Sequence, residues 1–156
     1  MNLLKNRIPV EQAQELVKIM QSKEKLVTLC GLSKEETALD FSGRTGQRLG
    51  AGDAVLIAND ISDMRALSVL NLAKNNLGQL VLPKGWTEGY DQDDGEEVYK
   101  HTDGREQMDN PGKPEGIIAI ANAIPDMGAL TSLNLASNML AVEGAKIVAA
   151  FLPKWT

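Results

Sequence analysis

The chain has 156 residues and a formal net charge of −5, with 16 Lys and Arg against 21 Asp and Glu. That length bounds it to one domain, and the acidity argues against a nucleic-acid or anionic-membrane partner. No apolar run could span a bilayer, the two leucines before Lys5, Asn6 and Arg7 make no signal peptide, and one cysteine allows no internal disulfide, so a cytoplasmic protein is expected.

In chain order, Leu3-x-x-Asn6-x-Ile8 reads as the end of a strand and the turn after it. A helix follows from Glu11-Gln12-Ala13, with Ala13, Leu16, Val17 and Met20 on one face. Leu26–Gly31 and Thr37–Phe41 read as two neighbouring strands joined through Ser33–Glu36. Ser42–Gly46 then stands where an asparagine turn is expected. The next helix starts at Gly52-Asp53-Ala54 and aligns Ala54, Ile57, Ala58 and Ile61. Two more helices begin at Glu115 (Ile117, Ile120, Ala121, Ile124) and Glu143 (Ala145, Val148, Ala149, Leu152). Pro9 and Pro114 sit near helix starts, where a missing N–H costs little. Glu11, Asp53, Glu115 and Glu143 place negative charge in first turns.

One stretch is written twice. Residues 58–77 (ANDISDMRALSVLNLAKNNL) and 121–140 (ANAIPDMGALTSLNLASNML) are identical at thirteen of twenty positions, at an offset of 63. Each copy ends in the pattern L-x-x-L-x-L-x-x-N-x-L, over Leu67–Leu77 and Leu130–Leu140. Alternation sends Leu70 and Leu72 to one side of a strand and Val69, Asn71 and Ala73 to the other. Asn75 and Asn138 follow in the turn, where an amide can both donate to and accept from backbone groups that lack a ladder partner. Asn6 holds the same place near the N-terminus.

Strand, turn and full helix in alternation resemble the ribonuclease-inhibitor-like leucine-rich repeats over most of the chain. The resemblance implies a short α/β solenoid with parallel inner strands and outer helices. It also implies an intracellular protein that binds other proteins through its concave sheet. Three departures accompany it. The pattern begins inside a repeat, in the final part of a strand, and stops after a helix before another strand, which leaves open a fragment, a truncated gene or a protein that associates through its solenoid ends. Trp155 folding back as a minimal cap is the fourth reading. The segment 26–43 is irregular, so the row of asparagines is expected to break there. An insertion of about 79–112 interrupts the single domain 1–156.

The insertion carries Trp86, Tyr90 and Tyr99, half of the six aromatic residues, and an acidic run from Glu88 to Glu97. Gly85–Tyr90 and Val98–Thr102 are expected to pair as a hairpin across Asp94-Gly95, at the rim of the concave face. Long ordered loops on a rigid scaffold often carry function.

Other motifs have plain structural alternatives. Asp91-x-Asp93-Asp94-Gly95-Glu96 invites a calcium reading, yet its glycine comes one place early and Thr102 stands at the twelfth position, so a solvated hairpin tip is preferred. Gly43-x-x-Gly46 and Gly50-x-Gly52 lack the Gly-Lys-Ser/Thr of a phosphate loop. His101, the single histidine, has Asp103 beside it but no nucleophile in the pattern, and reads as a hairpin surface residue. Cys30 falls in the register of Asn71, which predicts the concave surface, as a small filler rather than a reactive thiol. Trp86 and Trp155 read as edge shields, with an interface anchor as the alternative.

The concave row is then Thr28, Cys30, Ala38, Asp40, Val69, Asn71, Ser132 and Asn134, small and mildly polar. The sequence reading is a noncatalytic interaction module for a protein or peptide, with no cofactor, metal, nucleic acid or membrane. The residues assigned to the partner are Trp86, Tyr90, Asp91, Asp93, Asp94 and Tyr99, supported by Asn71 and Asn134. Asn6, Asn75 and Asn138 are structural. The alternative is an assembly element that oligomerises through its ends.

Overall fold

A computed structural model describes residues 1–43, 48–92, 95–108 and 110–154. It is mixed α/β and divides into two compact units, Met1–Gln79 with Pro114–Thr156, and Leu80–Lys113. The larger unit holds α1 (Val10–Gln21), β1 (Ala38–Asp40), α2 (Ala51–Ile61) and β2 (Val69–Asn71), then α3 (Glu115–Ala123), β6 (Ser132–Asn134) and α4 (Ala141–Phe151). The smaller unit holds β3 (Trp86–Tyr90), β4 (Glu97–His101) and β5 (Glu106–Gln107).

In the larger unit β1, β2 and β6 form one parallel sheet in that order, with Leu39, Leu70 and Leu133 in register. The alternation expected around Leu70 and Leu133 therefore meets in a common sheet. Leu39 and Leu70 point into the core while Ala38, Asp40 and Val69 face out. Leu133, on β6 at the other edge of the sheet, is only half-buried.

Backbone pairing runs past the strands. Phe41 and Gly43 donate to the carbonyls of Asn71 and Ala73, both at 2.8 Å; Leu72 and Lys74 donate to Asn134 (2.9 Å) and Ala136 (2.7 Å). The chain then turns through a left-handed residue, Lys74 at φ +60° and Ser137 at φ +58°; Lys5, one before Asn6, has φ +65°. Side chains seldom occupy that region unless the surroundings hold them there.

The asparagines supply that hold. Asn75 Nδ2 donates to the carbonyls of Phe41 (2.8 Å) and Leu72 (2.9 Å), and its Oδ1 accepts from the Leu49 N–H at 2.9 Å. Asn138 Nδ2 donates to Leu72 (2.8 Å) and Leu135 (3.0 Å) while Oδ1 accepts from Leu77 at 3.4 Å. Both residues are buried. Asn6 is exposed and reaches only its own turn, at Leu3 (3.0 Å) and Leu4 (3.4 Å). Residues 44–46 of the expected break lie outside the described residues, but Asn75 meets the Phe41 carbonyl before it.

Two expectations for this unit need correction. Leu26–Gly31 is not a strand; it makes only an isolated antiparallel bridge, between Cys30 and Asn2. Side chains have taken its backbone donors. Thr28 Oγ1 accepts from Cys30 (3.2 Å), Gly31 (2.9 Å) and Leu32 (3.0 Å), and donates to Asp60 Oδ2 at 2.6 Å. Asp60 Oδ2 accepts in addition from Leu29 (2.9 Å) and Cys30 (2.8 Å). Cys30 is accordingly buried rather than on the sheet surface, and burial together with the Asp60 carboxylate pushes its thiol up. Asp53 does the same work at the start of α2: it is buried and accepts from Lys5 (2.7 Å) and Gly50 (3.0 Å).

The second correction concerns the helices, which pack in chain order, α1 on α2, α2 on α3 and α3 on α4. Covered on two sides, α2 buries Ala54, Ile57, Ala58 and Ile61 as expected, and α3 buries Ile117, Ile120 and Ala121, with Ile124 buried just past its end. The equivalent face of α4 is not buried. Ala145, Ala149 and Leu152 are exposed, and α4 instead buries Gly144 and Phe151. Periodicity identified the apolar positions but not how many neighbours would cover them. Gly52 marks how closely the turns approach, since a Cβ there would fall 1.8 Å from the Ile8 carbonyl oxygen.

Asn75→Ala strips partners from a buried N–H and two carbonyls, and is expected to cost about 1–3 kcal/mol. Asn6→Ala, at an exposed turn, is expected to cost under about 0.5 kcal/mol. Urea unfolding of both variants reads this directly, and equal losses would contradict the bridging role.

Candidate functional site

Two surfaces present the residues assigned to a partner. The first is the outward row of the parallel sheet, Ala38, Asp40, Val69, Asn71, Ser132 and Asn134. Three of its side chains fold back on their own chain: Asp40 Oδ1 accepts from Ser42 (2.9 Å), Asn71 Oδ1 from Ala73 (3.1 Å) and Asn134 Oδ1 from Ala136 (3.0 Å). These oxygens shape the strand ends. Val69 is the only large apolar side chain of this row, and Thr28 and Cys30, expected here, belong to the turn held by Asp60.

The second surface lies on the hairpin. Val81 and Lys113 exchange backbone bonds of 2.8 and 3.1 Å, which closes the neck of the smaller unit. β3 and β4 pair antiparallel as Trp86↔His101, Glu88↔Tyr99 and Tyr90↔Glu97. The two-residue period puts these six side chains on one face. At the tip Asp91 donates to Glu96 (2.8 Å) and Gly95, at φ +75°, donates to Asp91 (3.1 Å). Asp93 and Asp94 lie outside the described residues. Of the assigned residues, the structure thus brings Trp86, Tyr90 and Tyr99 to one face, with Asp91 opening the tip. Tyr90 is 67% exposed, Trp86 half-buried and Tyr99 buried.

The face has two ends of different chemistry. At the base the Trp86 and His101 rings lie 5.2 Å apart, tilted by 57°, and the Arg105 guanidinium sits 5.7 Å from the Trp86 ring. Asp103 joins them: Oδ1 is 2.7 Å from His101 Nδ1, and Oδ2 accepts from Arg105 Nε at 2.9 Å. His101 Nδ1 also lies 3.2 Å from the Asp103 backbone N–H and 3.4 Å from Arg105 Nη2. One nitrogen cannot donate to the carboxylate and accept from two N–H groups, and the shortest, charge-assisted contact selects the Nδ1–H form. The backbone N–H of Arg105 leads the contacts that hold the Asp103 carboxyl below the usual carboxylate range. His101, expected as a plain surface residue, is thus packed on Trp86. This cluster was missed because its third strand, β5, is two residues long; Asp103 beside His101 was the one available signal.

Toward the tip, the register sets Glu88 and Glu97 diagonally across the hairpin. A hydrogen bond from Glu97, and then its charge, hold the Glu88 carboxyl above its usual range. Burial pushes the Tyr99 phenol up, with its hydrogen bond to Glu97 adding to the shift and Asn110 opposing it. Among the described residues no group of three or more His, Cys, Asp or Glu is placed to hold a metal ion, and no helix is long and apolar enough to cross a membrane.

No protein-family model, curated protein or solved structure matches the chain.

The two carboxyls give the hairpin opposite pH responses. Asp103 contributes stability above the ordinary carboxylate range, lost as pH falls through its lowered value; Glu88 contributes below that range, lost as pH rises through its raised value. A pH titration of hairpin amide resonances should show both steps, with Asp103→Asn deleting the lower and Glu88→Gln the upper. Steps that survive both substitutions would contradict these contacts.

Proposed function

We propose that the chain is a noncatalytic protein-binding module: a short leucine-rich repeat solenoid of the ribonuclease-inhibitor-like kind whose inserted hairpin contacts a protein or peptide partner. The solenoid reading is supported by the parallel register of Leu39, Leu70 and Leu133, by the amides of Asn75 and Asn138 reaching back to the preceding turn, and by the shared left-handed residue at Lys5, Lys74 and Ser137. A cytoplasmic location goes with this reading and rests on the single cysteine.

The observation that carries the binding role is Tyr90, 67% exposed on the same hairpin face as Trp86 and two carboxylates. Aromatic side chains with polar neighbours on a rigid strand pair are common anchors of interfaces, since they bury much area at little entropic cost. The sheet row, its end side chains engaged in turns, serves as a secondary contact through Asn71, Asn134 and Val69. Val81 and Lys113 are already paired, so a two-residue Asn-Gly link can replace 82–112 and close the neck. This variant should keep the helical circular dichroism and lose partner recovery in crosslinking from the source lysate. Recovery equal to that of the intact chain would overturn the role of the hairpin.

A second reading, self-association through the solenoid ends, is favoured by α4, where Val142 (68% exposed), Ala145, Ala149 and Leu152 (47%) leave an apolar face open. Sedimentation over a concentration series should then show mass rising above one chain, and Ala149→Arg should return it to one chain. A concentration-independent single-chain mass rules this reading out.

A further inference from the structure

We infer that the β3–β4 face receives an extended cationic peptide, with one arginine guanidinium seated between Glu88, Glu97 and the ring of Tyr90. This rests on the binding-module reading and adds the chemistry of the partner.

Charge is the first ground. Between Leu80 and Lys113 the sequence has nine acidic and four basic side chains, which accounts for the whole net charge of −5; the rest of the chain has twelve of each. A neutral scaffold with all its excess charge in one 34-residue unit concentrates its field there, and such a field attracts and orients a partner of opposite sign.

The second ground is how two of the four cations of that unit are spent. Lys100 pairs with Glu106 at 3.1 Å and Arg105 with Asp103 at 2.9 Å. Lys100 stands opposite Thr87, on the other face of the hairpin from Glu88 and Glu97. Among the described residues neither Glu88 nor Glu97 is in an ion pair, and the register holds the two carboxyls against each other. Like charges across an antiparallel pair destabilise it. A cation from outside, placed against both carboxyls, relieves that repulsion.

The third ground is the aromatic beside them. Tyr90 stands directly opposite Glu97 and is largely exposed, so its ring face is open beside the carboxyl pair. A guanidinium is planar, can bridge two carboxylates with its fork of donors and stacks on an aromatic ring; an ammonium has no such fork. The other end of the face already holds Arg105 over Trp86, which repels a second cation there and fixes the seat near the tip.

The test is calorimetric titration of the whole chain with a Gly/Ser peptide of about ten residues carrying three arginines, and with its lysine and glutamate analogues. The arginine peptide is expected to bind more tightly than the lysine one, and the glutamate one not at all. Glu88→Gln and Glu97→Gln should each weaken the arginine peptide about tenfold, the loss of one charge-assisted contact. Tyr90→Ala should weaken it severalfold, and Glu24→Gln, exposed on the larger unit, should change nothing. Absence of binding by the arginine peptide overturns the inference, as does a loss in Glu24→Gln equal to that in Glu88→Gln. If the arginine peptide fails while removal of the insert still abolishes partner recovery, only the cationic seat falls; if both fail, the binding-module reading falls with it.

Discussion

The amide of Asn75 holds two adjacent turns of chain at once. Its Nδ2 binds one carbonyl in its own turn and one in the turn before, while its Oδ1 takes the N–H of Leu49. Parallel strands of three residues cannot hold a sheet together by their few ladder bonds alone. The chain must also turn sharply after each strand, through a left-handed residue, inside a buried region. An amide that donates and accepts answers all of these demands, and its value lies mostly in the cost of leaving those backbone groups unmet. Asn138 repeats the arrangement, so the leucines of neighbouring strands are kept in register and close one core.

In the N-terminal third, where Asn6 reaches only its own turn, carboxylates of α2 supply the longer-range hold. Asp53 accepts the N–H of Lys5, and Asp60 accepts those of Leu29 and Cys30 with help from Thr28. Two buried aspartates on one helix would be costly if unpaired. Here each is surrounded by backbone donors, so the irregular N-terminal third is tied to the regular part by hydrogen bonds from a helix rather than by strand pairing. The consequence for function is a sheet whose outward row begins at Ala38, with Cys30 sealed inside.

The hairpin unit follows a different logic. At its base Asp103 binds both Arg105 and His101, and those two pack against Trp86. Farther toward the tip, Glu88 and Glu97 meet each other beside an open Tyr90, and neither is in an ion pair among the described residues. An ordered base beside an exposed acidic and aromatic face is a sensible arrangement for a contact surface, because the ordered part fixes the geometry before a partner arrives. This separation of roles supports the proposed function better than the mildly polar sheet row does.

Local periodicity placed the four helices, the strands of the parallel sheet and the hairpin, but not the Leu26–Gly31 segment or β5. Alternation around Leu70 and Leu133 marked strands that share a sheet, the spacing of Ile57, Ile61, Ile117 and Ile120 marked buried helix faces, and the aromatic runs on either side of Asp94-Gly95 marked the hairpin. These signals are legible because each element must present a face, and a face is written within a few residues. What the sequence alone could not settle depends on distant neighbours. Asp60 captures Leu29 from 31 residues away and removes a strand; the face of α4 carrying Val142 and Leu152 stays exposed, although α3 packs on that helix; Tyr99 is buried while Tyr90 is exposed on the same hairpin face. Burial, pairing and charge compensation are properties of what arrives from elsewhere in the chain, and only the tertiary structure decides them.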